Sequence, residues 1–124
     1  MRRQIARPYA MAGVNVFAAD TDGEAVRLFT SAQQQFTNLI RGKPGRLPPP
    51  VDAVQSYWTP AEEASVSAML AYSFVGSRET VRSGLNEFIN QNGLDEVIVA
   101  SAIYDHAARL HSYEILADVF DEDL

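Results

Sequence analysis

Hydrophobic and polar positions along this chain switch between two periods, and the switches mark its elements. The stretch from Tyr72 to Tyr113 is the clearest. Tyr72-Ser73-Phe74-Val75 is short, apolar and rich in β-forming side chains, which predicts a strand. Gly76-Ser77 breaks it, and Ser77 is placed to cap the next helix through its hydroxyl. Val81, Leu85, Phe88 and Ile89 then recur at helical spacing. Asn92-Gly93 supplies a residue that tolerates positive φ just past the helix end. Val97-Ile98-Val99-Ala100 is a continuous apolar run, the pattern of a strand buried on both faces. Asp105 is placed to cap a last helix, with Leu110, Tyr113, Leu116 and Ala117 as its apolar positions. Strand, helix, strand in this order is a βαβ unit and implies a parallel sheet.

Upstream, Ala12 to Ala19 reads as a first strand, with Val14 and Val16 on one face and Asn15 and Phe17 on the other. Asp20-Thr21-Asp22-Gly23-Glu24 opens a helix, Thr21 and Glu24 fitting a capping box. Ala25, Leu28, Phe29, Ala32, Phe36, Leu39 and Ile40 give it an apolar stripe up to about Arg41, with a stop at Gly42. Residues 42–59 form a proline-rich loop containing Pro48-Pro49-Pro50, a stiff polyproline segment. It fits either an SH3-type ligand or a rigid insertion crossing the domain surface, and the second is favoured because polyproline ligands usually sit in disordered tails. Tyr57 and Trp58 are placed to pin it. Thr59-Pro60-Ala61-Glu62 is a helix start, with Val66, Met69 and Leu70 as its buried face.

The pattern therefore predicts strands near 12–18, 72–75 and 96–101, and helices near 22–41, 60–70, 78–91 and 105–120. The expected core is Val14, Val16, Leu28, Phe29, Phe74, Val81, Leu85, Phe88, Val97, Val99, Leu110 and Leu116.

Composition narrows the function classes. A chain of 124 residues makes one domain, 1–124, and 47% hydrophobic residues are enough for a core. The net charge of −6 and the lack of a long Lys/Arg cluster disfavour nucleic acid as a partner. Cysteine is absent, which removes disulfides and thiol chemistry and fits a reducing compartment. No apolar stretch follows Met1-Arg2-Arg3 at signal-peptide distance, and the longest apolar runs are strand-sized. A cytoplasmic protein with no membrane association is expected. The acidic end, Asp121 to Leu124, is expected to be solvated.

Candidate chemistry is sparse. His106 and His111 are five apart and do not share a helix face, so no metal site is expected. Asp105-His106 is either a cap with its exposed neighbour or part of a site at the mouth of a strand, where α/β folds place chemistry. Arg109, one turn on, can reach an anionic ligand or pair with Asp105, and the pair is favoured. Gly76-Ser77 offers backbone N–H groups at a helix start, where phosphate can bind. Asn15, polar within an apolar strand, could line a barrel interior or a cofactor pocket. No catalytic triad order, Walker loop or dinucleotide fingerprint is present.

Several segments together resemble the bacterial-luciferase-like flavin monooxygenases. Ala12-Gly13-Val14-Asn15-Val16-Phe17-Ala18-Ala19-Asp20-Thr21-Asp22-Gly23-Glu24-Ala25 looks like a late strand of that family. Val75-Gly76-Ser77-Arg78-Glu79-Thr80-Val81 resembles its Gly-Ser-Pro-Glu-Thr-Val turn, with Arg78 replacing the usual proline. Asp95-Glu96-Val97-Ile98-Val99, followed by Asp105-His106-Ala107-Ala108-Arg109-Leu110, looks like its last strand and final helix. The resemblance covers residues 7–120 and implies an α/β fold: part of a (β/α)8 (TIM) barrel, with about three parallel strands and four helices.

It also implies FMN as the family cofactor, while the segments that supply most flavin contacts precede the matched region. The chain is accordingly expected to be the C-terminal part of such an oxidoreductase and inactive alone, with no catalytic residue carried over. The weak cofactor-binding candidates are Gly76, Ser77, Asp105, His106 and Arg109. The alternatives are an oligomerising α/β interaction module without catalytic activity, and a small enzyme using Asp105, His106 and Arg109. In a barrel segment the strand of Val14 to Phe17 and the strand of Val97 to Ala100 would each lack a neighbour, which leads to the expectation of a homo-oligomer, most simply a dimer.

Overall fold

The first strand becomes the centre of the sheet. In the computed structural model, which describes residues 9–121, β1 (Met11–Ala18) lies between β2 (Ser73–Gly76) and β3 (Glu96–Ala100). Both ladders are parallel, with Val16 opposite Phe74 and Val14 opposite Val99. The helices are α1 (Asp22–Ile40), α2 (Pro60–Met69), α3 (Arg78–Asn92) and α4 (His106–Asp121). Residues 1–8 and 122–124, which include the basic start and most of the acidic end, lie outside the described residues. No helix among the described residues is long and apolar enough to cross a membrane.

The expected class, three parallel strands with four helices, is the one observed. The strand order corrects one expectation. A barrel segment in chain order would leave β1 at an edge, whereas here the order is β2-β1-β3 and β1 has both neighbours. The physical reason is length and polarity. At eight residues β1 is the longest strand, and a central place satisfies both of its rows of amides and carbonyls. The four-residue β2 and five-residue β3 take the edges, where short strands leave less backbone unpaired.

Two cores result. On one face, Val14, Val16 and Ala18 pack against Val81 and Leu85 of α3 and Ile115 and Leu116 of α4, with Phe74, Phe88, Val97 and Val99 half-buried around them. On the other, Phe17 and Ala19 meet Ala25, Leu28 and Ala32 of α1, together with Ile103. The helix ends follow their sequence signals. Thr59 and Glu62 close a reciprocal capping box at α2, and Gly93 ends α3 at φ +58°.

The errors concern which way a helix or strand turns. On α4 the buried positions are Ser112, Ile115, Leu116 and Val119, while Leu110 is 51% exposed and Tyr113 and Ala117 also face outward. Ser112 explains this rotation: its Oγ accepts the Ala18 amide at 3.0 Å inside the core, so a polar position faces the sheet. Met69 is exposed, and α2 buries Val66 and Leu70 instead. Leu39 and Ile40 are exposed at the far end of α1. On β3, Ile98 is 57% exposed, so the strand is covered on one face only; α1 packs over β1 and β2 and leaves it bare.

The proline-rich loop runs back along α1 and is hydrogen-bonded to it. Thr30 Oγ1 accepts the Val51 amide at 2.9 Å, and Gln34 Nε2 donates to the Pro49 carbonyl at 2.9 Å. These bonds explain why polar Thr30 and Gln34 are buried: they satisfy loop backbone that a hydrophobic stripe would leave unpaired. Tyr57 hydrogen-bonds Asn38, and Arg41 reaches both the Tyr57 carbonyl and Glu62. Pairing with Arg41 first, and then the Thr59 amide, pulls the Glu62 carboxyl down to about 2.

Candidate functional site at the carboxyl ends of the strands

Parallel sheets gather functional groups where their strands end at the carboxyl side. Here those ends lead into Ala19-Asp20 after β1, Gly76-Ser77 at the end of β2, and Ser101 to Asp105 after β3.

At the β2 end, the start of α3 is already occupied by a carboxylate of the chain itself. Asp22 Oδ1 accepts from the Ser77 amide at 2.6 Å and from Thr80 Oγ1 at 2.8 Å. These bonds, the amide first, hold the Asp22 carboxyl below the usual carboxylate range. The expected hydroxyl cap by Ser77 is absent: its Oγ lies 3.4 Å from Thr80 Oγ1, and Asp22 does the capping from 55 positions away. Gly76 makes this closeness possible. A Cβ there would sit 2.6 Å from Thr80 Cβ and 2.8 Å from Asp22 Oδ1, and φ is +157°. Of the two anion-binding candidates here, Gly76 and Ser77, the Ser77 amide is engaged by Asp22.

At the β3 end, Asp105, His106 and Arg109 come together within one turn. Asp105 Oδ2 accepts the Ala108 amide at 2.9 Å, the expected cap. The expected Asp105–Arg109 side-chain pair is replaced by a contact of 3.0 Å between Arg109 Nη2 and His106 Nδ1. The guanidinium can only donate, so Nδ1 of His106 is the acceptor in this contact. Asp105 is held by its capping duty, which leaves Arg109 to fold back onto the ring. The two groups of candidates stay apart, because β1 separates β2 from β3 by two strand spacings, about 10 Å. Asn15 reaches Ser73, with Nδ2 at 3.5 Å from Oγ, and is half-buried. The Ser101 hydroxyl, buried at the end of β3, has no hydrogen-bond partner among the described residues.

Pattern reasoning missed a third cluster. His111 Nε2 lies 2.8 Å from Asp20 Oδ1 and Nδ1 lies 3.3 Å from Glu114 Oε1. The two carboxylates, Asp20 foremost, raise the His111 pKa above its ordinary value. With both ring nitrogens engaged, the ring ties α4 to the end of β1 and has no free nitrogen for a substrate. Nothing local could reveal it, since Asp20 and His111 are 91 positions apart. Among the described residues, no group of three His, Asp or Glu side chains is arranged to hold a metal ion.

A concavity lies at the other end of the sheet. An open groove of about 460 Å³ is lined by Ile89, Leu94, Asp95, Glu96, Val97 and Phe120, at the amino end of β3.

Comparison with known proteins gives one consistent relationship. The chain is 43% identical over 119 residues to a luciferase-like monooxygenase of Escherichia coli, covering 96% of this chain and 36% of the relative. It is 43% identical over 113 residues to the uncharacterized protein YvbT of Bacillus subtilis, covering 91% of this chain and 34% of the relative. Its fold superposes on the crystal structure of apo-MsnO8 with a TM-score of 0.71 at 25% identity, over 96% of this chain and 36% of that one. No family model matches the chain. The chain thus spans about a third of the length of the curated relatives it matches.

Proposed function

We propose that this chain, which corresponds to part of a luciferase-like monooxygenase, serves as the C-terminal part of a flavin-dependent oxidoreductase and does not hold FMN by itself. The relationship that carries this reading is the 43% identity across 96% of the chain, set against only 36% of the relative. The site geometry supports its second half. The one helix start that resembles the family turn has its amide taken by Asp22. Arg109, the cation at the β3 end, is turned onto His106 rather than into an open cleft. In this reading the chain contributes strands, helices and carboxyl-end loops to a larger site, and the flavin grip comes from elements outside the matched third.

Titrating the purified chain into FMN tests it, with quenching of flavin fluorescence as the readout. No stoichiometric binding is expected at micromolar concentrations. Stoichiometric micromolar binding would show that the chain grips flavin unaided and overturn the proposal.

A further inference from the structure

We infer that the open groove at the amino end of β3 is a docking surface for a basic segment with apolar residues, and that its occupant is the start of this same chain, residues 1–8.

The groove has an apolar floor and an acidic rim. Ile89, Leu94, Val97 and Phe120 line it together with Asp95 and Glu96, and none of these residues is basic. Ile89 lies in the last turn of α3 and Phe120 in the last turn of α4, so both helices end at the groove. A helix C-terminus carries about half a negative charge, which Lys or Arg in the last turn offsets. Neither α3 nor α4 has a basic residue there. Asp121, exposed next to Phe120, adds a third carboxylate. Two uncompensated helix ends and three carboxylates around apolar side chains suit a cation with an apolar body.

The described chain enters at this rim. The Ala10 carbonyl accepts the amides of Asp95 and Glu96 at 2.8 and 3.2 Å, and the Ala10 amide donates to Asp95 Oδ2 at 2.8 Å. Tyr9 Oη donates to Glu96 Oε1 at 2.7 Å. Two groove-lining residues thus fix Tyr9 and Ala10, and the residues before them depart from the edge of the groove. An extended chain advances at most about 3.6 Å per residue, so eight residues can cover about 28 Å.

The charge of that stretch complements the groove. Met1-Arg2-Arg3-Gln4-Ile5-Ala6-Arg7-Pro8 holds three arginines and no acidic residue, with Met1 and Ile5 as its larger apolar side chains. Three of the ten Lys and Arg residues therefore fall in eight positions of a chain whose net charge is −6. The tether decides between this start and that of a second copy. Held at Tyr9, the chain's own segment meets the groove at a high effective concentration, whereas a second copy must first overcome the repulsion between two acidic bodies.

A paramagnetic label tests this in the whole chain. The sequence has no cysteine, so Gln4→Cys takes a single nitroxide. The amide signals of Leu94, Val97 and Phe120 should lose most of their intensity, and those of Ser77 and Ala108 at the carboxyl ends should keep theirs. Replacing Arg2, Arg3 and Arg7 together by Glu should restore the groove signals, and so should Glu96→Lys at an exposed position. Circular dichroism checks that each variant is folded. If either is not, adding salt to the labelled chain decides, since screening should restore the same signals. Undiminished groove signals would overturn the inference. So would a loss of intensity that survives charge reversal and salt. Mixing nitroxide-labelled chains with isotope-labelled chains lacking the nitroxide separates the two occupants: broadening at the groove of the isotope-labelled copies would assign it to a second copy's start and overturn the intrachain reading, and unchanged signals in that mixture support it.

Discussion

The face of the sheet beneath α3 and the outer side of β3 are built from the same kinds of side chain and end in opposite conditions. Val16, Val81 and Leu85 are completely buried, whereas Ile98 and Leu110 are more than half exposed. Each set has the periodicity of a core. What separates them is a neighbour: α3 and α4 close over β1, and no strand among the described residues pairs with the outer edge of β3. Apolar periodicity reports that a position is suited to cover. It does not report that the cover is present.

The comparison can be broken by substitution. Leu85→Ala removes a fully buried side chain between α3 and the sheet, and should cost about 2–5 kcal/mol in chemical denaturation if its pocket cannot collapse. A loss in the range of ordinary surface changes would show that this face is not the core. Ser112→Ala tests the polar anchor in the same face. It strands the Ala18 amide without its acceptor, so about 1–3 kcal/mol should be lost. An unchanged denaturation midpoint would mean that water or a shifted α4 supplies the bond.

A smaller effect is expected at the margin of the packed face, where His111 joins Asp20 and Glu114. The folded pKa of His111 is raised, so its contribution is complete below the ordinary value of 6.5 and fades as pH rises through the higher folded value. The urea midpoint should therefore fall from mildly acidic to mildly alkaline pH, more in the native protein than in His111→Gln. Equal pH profiles would show that the ring contributes nothing. The smallest effect belongs to the uncovered side. Ile98→Ala should change the stability of the isolated chain by no more than about 0.5 kcal/mol, because the side chain is already largely in water. A loss comparable to that of Leu85→Ala would mean that this surface is covered after all, and would erase the contrast.

Local chemistry was legible in the sequence wherever the cause lies within a few residues. The three strands and four helices fall within one or two residues of their expected limits, because the capping at Thr59, the positive φ at Gly93 and the apolar runs act over single turns. The Asp105 cap was legible for the same reason. The family resemblance was legible too, since it rests on the order of short motifs along the chain. Tertiary structure decided what depends on distant partners. It placed β1 at the centre because the longest strand gains most from two ladders. It turned α4 so that Ser112 rather than Tyr113 faces the core, because an amide 94 positions earlier needed an acceptor. It filled the turn at Gly76-Ser77 with Asp22, and tied His111 to Asp20. Periodicity names the residues that can be buried or paired, but a hydrogen bond between remote groups exists only once the chain has folded and brought them within about 3 Å.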